Sequence, residues 1–167
     1  MQTKSVLATG CLAFGFVTAC IADDSAHATA AQVIATAQLD TYVTKTDKGV
    51  ALKQIPTDAG STVLIVRRDS TGEVELHWRM NDVFVVKSGH GSLLLGGRIE
   101  HNHETAPSEW RGGEIIGGEK HELSPGDLVL IPAGVPHQVL LPPGGSITYV
   151  AVKTLAQPLP AQPPSNR

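Results

Sequence analysis

Short apolar runs separated by glycine and proline turns dominate the chain from residue 61 onward. Runs of this length, about ten residues apart, are typical of antiparallel strands rather than helices. The pattern predicts strands over residues 62–67, 73–79, 83–87, 92–96, 120–123, 128–131, 138–141 and 147–153. Residues 128–131 are apolar at every position, which predicts a buried strand.

Three segments depart from this pattern. Residues 28–39 place apolar side chains at helical spacing, which predicts one short helix, and an edge strand is expected near residues 50–55. Residues 98–118 are looser and contain two Gly-Gly pairs, so we interpret them as an inserted loop with at most one hairpin. The tail, residues 154–167, is rich in proline, which cannot donate to a β-ladder, and is predicted to be disordered.

Composition supports an all-β fold in a single domain. The 167 residues include 17 glycines and 11 prolines, and helix formers do not dominate between them. We therefore expect an antiparallel sandwich or barrel over residues 61–153, preceded by an N-terminal extension over residues 23–60. The net charge is only −3 and no basic stripe occurs, which argues against nucleic acid as a partner.

The first 22 residues have the pattern of an export leader. Lys4 is followed by residues 6–22 without a charge, a stretch marginal for a spanning helix of about 20 residues. Two cleavage sites compete. Residues 17–20 resemble the bacterial lipobox, which would lipidate Cys20 and attach the protein to a membrane, whereas ordinary cleavage after Ala28 would release a soluble protein. We favour the lipobox, and either site predicts a periplasmic or cell-envelope protein.

Both cysteines, Cys11 and Cys20, lie in this leader. The exported body would therefore have no thiol for a disulfide or for a thiolate metal site.

Strand alternation divides residues 73–79 into a polar and an apolar face. One face carries Glu73, Glu75, His77 and Arg79, and the other carries Val74, Leu76 and Trp78. If the polar face lines a barrel interior, His77 and Arg79 point into the cavity. The apolar face must then be covered from outside, by a second protomer or by the N-terminal segment.

A second histidine leaves a tightly constrained turn. Gly126 and Gly134 permit backbone angles that a β-carbon would oppose, and Pro132 and Pro136 fix φ, so the direction of His137 is restricted. Asp82 starts the strand after His77 and can point to the same interior. Two histidines and a carboxylate are the ingredients of a facial metal site.

These residues resemble the two motifs of the cupin superfamily. The second motif runs Gly, five residues, Pro, one, Gly, two, His, three, Asn. Gly126, Pro132, Gly134 and His137 match it at every spacing, and Leu141 replaces the final Asn.

The first cupin motif is only partly present. Gly72 lies one residue too close, His77 fits, Arg79 replaces the second histidine, Asp82 replaces the glutamate after a shorter gap, and Gly89 follows at the expected spacing. The resemblance covers residues 61–153. It implies the cupin jelly roll, a double-stranded β-helix barrel that is often a homodimer, with a metal among the motif residues.

When the motif positions are compared with this chain residue by residue, the resemblance implies that His77, Asp82 and His137 are metal ligands. Two histidines and one aspartate with open positions suit Fe(II), Mn(II) or Zn. Arg79 does not match a ligand and would instead orient an anionic substrate, since guanidinium pairs well with carboxylate or phosphate.

His101 and His103 form a weaker candidate cluster in the inserted loop. They are flanked by Glu100 and Glu104 and could bind a metal adventitiously in solvent. Alternatively, the loop folds over the barrel mouth and completes the site. Trp110 in the same loop is either a lid or a residue packed on the rim.

Two function classes remain open at this stage. The first is a metal-dependent dioxygenase, isomerase or lyase acting on a small molecule in the barrel. The second is a non-catalytic, metal-free cupin of the cell envelope that binds a ligand or a partner. The fold itself does not separate them, because it supports many chemistries.

Overall fold

The computed structural model describes residues 31–57 and 60–157, which form one helix and thirteen strands. The elements are α1 (Thr36–Tyr42), β1 (Val50–Ile55), β2 (Ser61–Arg68), β3 (Glu75–His77), β4 (Met80–Gly89), β5 (Gly91–Leu95), β6 (Arg98–Glu100), β7 (His103–Ala106), β8 (Glu109–Arg111), β9 (Glu114–Ile116), β10 (Glu119–Leu123), β11 (Leu128–Ile131), β12 (His137–Leu140) and β13 (Ile147–Leu155). The predicted leader with Cys11 and Cys20, and all but the start of the proline-rich tail, lie outside the described residues. Within the described ranges, no helix is long and apolar enough to cross a membrane.

Two antiparallel sheets enclose the main core. The first has the strand order β1-β2-β13-β4-β11, the second has the order β10-β5-β12-β3-β8-β7, and β6 pairs with β9 separately. The core between them takes Phe84 and Tyr149 from the first sheet and Leu93, Leu123 and Val139 from the second. The sheets do not close into one continuous barrel, so the architecture is a jelly roll. The predicted all-β antiparallel class with one short helix is confirmed.

The N-terminal segment packs on the outer face of the first sheet. Val43, Ile55 and Ile65 form a separate buried cluster there, supported by Ile34 and Leu39. The predicted helix is present, but it begins at Thr36 and continues to Tyr42. The predicted edge strand is also present, because β1 is the outermost strand of its sheet.

Strand β11 differs from its sequence prediction. It spans the predicted residues, but it lies at a sheet edge and only one of its faces meets the core. Ile131 is buried, whereas Leu128 and Leu130 are 62% and 67% exposed. The prediction of a fully buried strand is therefore wrong, since a run of apolar residues does not reveal which face is covered.

The segment over residues 98–118 contains four short strands and is not a simple inserted loop. Its β7–β8 hairpin extends the second sheet, because β8 pairs with β3. Trp110 lies directly opposite Leu76, and both side chains are buried together with Val74. The side chains on the apolar face of β3 are thus buried in the single chain, so a second protomer is not needed to cover them.

Candidate functional site

A backbone contact holds the two motif regions together. Strand β3 ends at His77, whose carbonyl oxygen accepts the N–H of Gly134 at 2.9 Å. Gly134 has a φ of +84°, and an added β-carbon there would lie 3.2 Å from the ring of Trp78. The Asn81 side chain accepts the N–H of Ala133 at 3.0 Å in the same turn. The turn that precedes His137 is therefore fixed directly against the strand that carries His77.

Two imidazoles and two carboxylates converge where β3, β4 and β12 meet. The Asp82 Oδ2 atom lies 3.4 Å from His77 Nε2 and 3.6 Å from His137 Nε2. The Glu75 Oε2 atom lies 3.3 Å and 3.9 Å from the same two nitrogens. The side chains of His77, Asp82 and His137 are at most 2% exposed. We call Glu75, His77, Asp82 and His137 the central cluster.

The outer nitrogens of both imidazoles already have partners. His137 Nδ1 lies 3.1 Å from the carbonyl oxygen of Val135, and His77 Nδ1 contacts a carboxylate oxygen of Glu109. Both partners are acceptors, so each Nδ1 donates a proton and each neutral imidazole keeps a lone pair on Nε2. Neither Nε2 has a hydrogen-bond partner in the described part of the chain. Fixing the outer nitrogen in this way is typical of metal-binding histidines.

Basic side chains surround the carboxylates. Lys153 Nζ donates to both oxygens of Asp82, at 2.7 and 2.8 Å. Arg68 Nη2 donates to Glu75 Oε1 at 2.9 Å, and Arg111 Nη1 contacts the other oxygen of Glu75. Both oxygens of each carboxylate therefore already contact a basic side chain. Glu75, His77 and His137 offer ligand atoms within 4.8 Å of one another and could hold a metal ion.

The local charges shift the pKa values of these groups in opposite directions. Burial by itself would raise the pKa of Glu75, but the contact with His77 and the charge of Arg111 outweigh it and hold this pKa well below its usual range. Burial would lower the pKa of His77, but Glu109 and Glu75 outweigh burial and raise it. Burial dominates at His137, whose pKa is lowered. The two imidazoles therefore differ in their affinity for a proton.

Comparison with solved structures places this geometry in a known fold. A conserved protein with a double-stranded β-helix domain from Klebsiella pneumoniae aligns with a TM-score of 0.52 and 16% identity, over 77% of this chain and 99% of that one. The chain has a double-stranded β-helix fold. The resemblance inferred from the two motifs is thus confirmed at the level of fold.

Other solved structures align less closely. KdgF from a Halomonas species is 19% identical with a TM-score of 0.48, over 70% of this chain and 87% of that one. A cupin-like protein from Thermotoga maritima is 20% identical with a TM-score of 0.46, over 63% and 68% of the two chains. No protein-family model and no curated protein sequence matches the chain.

Within this fold, three of the predicted residues come together and Arg79 does not join them. His77, Asp82 and His137 lie in the central cluster, as the motif resemblance implied. Arg79 is exposed in the turn between β3 and β4, where its carbonyl oxygen accepts the N–H of Ala156. The expectation that Arg79 faces the cavity is wrong, because β3 ends at His77 and strand alternation stops there.

His101 and His103 are exposed and lie outside the central cluster. His101 has a φ of +60° in the turn after β6, and with Glu100 and Glu114 it forms a second group that could hold an ion. His103 begins β7. Trp110 is buried, which supports the interpretation of a packed residue rather than a lid.

The insertion does complete the site, but with residues that the motif comparison did not indicate. The pairing of β3 with β8 places Glu109 opposite His77 and Arg111 opposite Glu75. A signal was present in the sequence, because Glu109-Trp-Arg111 repeats the polar-apolar-polar alternation of Glu75-Leu-His77. Lys153 was detectable in the same way, since it shares a strand face with Tyr149 and Ala151, which point into the core.

Proposed function

We propose that the protein is a metal-dependent cupin enzyme in which Glu75, His77 and His137 hold one divalent cation. The observation that carries this proposal is the convergence of acceptor atoms. Two Nε2 lone pairs and two carboxylate oxygens lie 3.3–3.9 Å apart across the cluster. Acceptors repel one another at this separation unless a cation or a proton lies among them, and buried polar atoms normally have partners.

The donor set suits Fe(II), Mn(II) or Zn(II). Two imidazoles and one carboxylate leave coordination positions open for a substrate. Such an ion, when bound, would supply Lewis-acid or redox chemistry of the kind used by dioxygenases, isomerases and lyases. The chain itself would bury the ligands, fix both imidazole tautomers through Glu109 and Val135, and hold Asp82 beside the centre through Lys153.

A second candidate is a metal-free ligand-binding or partner-binding cupin. It is favoured by one specific observation, namely that the carboxylates already have basic partners. Arg68 and Arg111 contact Glu75, and Lys153 contacts Asp82. In this state a proton on His77 would take the place of the cation, in keeping with the raised pKa of His77.

Metal content decides between the two candidates. The protein is expressed with Fe, Mn and Zn supplied, purified and measured by elemental analysis, with about one ion per chain expected. Glu75→Gln and His137→Ala should lose this ion while circular dichroism shows a retained fold. Glu114→Gln and His101→Ala are the matched controls at the second acidic cluster and should keep it. A wild-type protein without stoichiometric metal would refute the enzyme proposal, and loss of the ion only in the controls would move the site to residues 100–114.

We also propose that the protein is exported and attached to a cell-envelope membrane through Cys20. The support is the uncharged stretch after Lys4 and the lipobox-like residues 17–20. Cys20→Ala should shift the protein from the membrane fraction to the soluble fraction. A variant that stays in the membrane fraction would exclude lipidation at Cys20.

A further inference from the structure

The charges around the central cluster balance only in the absence of a divalent ion. Three carboxylates face three basic side chains at ion-pair distance: Glu75, Asp82 and Glu109 against Arg68, Arg111 and Lys153. With both imidazoles neutral, these formal charges cancel. A divalent cation held by Glu75, His77 and His137 would therefore leave two uncompensated positive charges in a largely buried site. Uncompensated buried charge is costly, and a bound anion would reduce that cost.

Solvent reaches part of all three basic side chains, which are 15% exposed for Arg68, 18% for Lys153 and 27% for Arg111, whereas those of Asp82 and His137 are 1% and 2% exposed. Arg68 already donates to both Tyr149 and Glu75. The Glu109 side chain is 28% exposed and is held by His77 Nδ1. Lys153 and Arg111 are therefore the two cations that a small molecule approaching the ligand atoms from solvent would meet.

Both cations have donors left for a further partner. The ammonium of Lys153 donates twice to Asp82 and has one more proton to donate. The guanidinium of Arg111 has more N–H donors than its contacts with Glu75 and Glu109 can use. Charge-assisted hydrogen bonds from such groups to a carboxylate are among the stronger polar contacts in proteins.

From these observations we infer that the site takes a small carboxylate as its substrate, bound by Lys153 and Arg111 beside the ion. This inference rests on the proposed metal centre, because the excess positive charge exists only when a divalent ion is held. It assigns substrate binding to Lys153 on β13 and Arg111 on β8, and not to the exposed Arg79.

Malonate and its neutral diamide, malonamide, are matched probes of this inference. The metal-loaded protein is desalted, checked for metal content, and titrated with each compound by isothermal calorimetry at low ionic strength. Malonate should bind about tenfold more tightly than malonamide or better, because the charge-assisted contacts are made only by the carboxylates. Arg111→Gln and Lys153→Gln should each weaken malonate binding by about tenfold while the metal is retained. Arg79→Gln removes the same charge from the neighbouring turn and should leave binding unchanged.

The outcomes separate the two proposals. Retained metal with equal affinity for malonate and malonamide would overturn the carboxylate inference and leave the metal centre standing. Retained metal with unchanged malonate affinity in both site variants would also overturn it. A wild-type protein that holds no metal would overturn the proposed function and this inference together. Lys153→Gln leaves buried Asp82 without its cation and could fail to fold. In that case the malonate affinity of Arg111→Gln tests the inference.

Discussion

Replacing Glu109 tests whether the insertion contributes to metal binding. Glu109 contacts the Nδ1 atom of His77 from the opposite strand and has no place in either cupin motif. Glu109→Gln keeps an acceptor oxygen of similar reach but removes the negative charge, and Glu109→Ala removes both. If Glu109 orients His77 and strengthens its Nε2 lone pair, metal affinity should fall in the order wild type, Gln, Ala.

The size of the effect follows from the position of Glu109. Removing a group that supports a metal-binding histidine typically costs about 10–100-fold in affinity, or about 1.4–2.8 kcal/mol. The Glu109 side chain is 28% exposed, so water screens part of its charge. We therefore expect about a tenfold loss for Glu109→Gln and a larger loss, toward about 100-fold, for Glu109→Ala.

Competition with a chromogenic chelator measures these affinities directly. Each variant is titrated with Zn(II) in the presence of the chelator at constant pH, and the dissociation constant is obtained from the absorbance. Glu104→Gln is the matched control, because Glu104 is an exposed glutamate of the same hairpin. Dissociation constants within about twofold of wild type for both Glu109 variants would refute the role of Glu109, since the expected loss is about tenfold or more.

Two further predictions concern pH and packing. Glu109 and Glu75 raise the pKa of His77 in the metal-free protein, so a metal must displace a proton there, and metal affinity should rise as the pH increases through and above the ordinary histidine range in the same chelator assay. A flat profile would show that no proton leaves His77 on binding. Trp110 is 5% exposed, and Trp110→Ala should lower the free energy of unfolding by about 3–5 kcal/mol in urea denaturation. A loss below about 1 kcal/mol would contradict the packing of Trp110 against β3.

Local sequence patterns predicted much of the fold and part of the site. The spacing of Gly126, Pro132, Gly134 and His137 predicted a turn that aims an imidazole, and the structure fixes that turn against His77 through a backbone hydrogen bond. Alternation along β3 predicted that Glu75 and His77 share a face. Both predictions depend on neighbours close in sequence, where periodicity and turn chemistry operate.

The remaining features depend on pairing between distant segments. Strand alternation continued past His77 predicts that Arg79 faces the cavity, but no local sequence signal indicates that β3 ends at His77. Glu109 and Arg111 reach the site only because β8 pairs with β3 in one particular register, and a shift of one residue would turn both away. The exposure of Leu128 and Leu130 depends on β11 being an edge strand, which is a property of the whole sheet.

The contact between β3 and β8 would make the β7–β8 hairpin and the proposed metal centre a single thermodynamic unit. His77 would use one ring nitrogen for the cation and uses the other for Glu109. Pairing of the β7–β8 hairpin with β3 would add free energy to metal binding. Because linked equilibria are reciprocal, a bound metal would add the same free energy to that pairing. Deleting residues 98–118 would therefore remove two strands from the sheet, leave β3 as an unprotected edge, and weaken the metal centre at the same time.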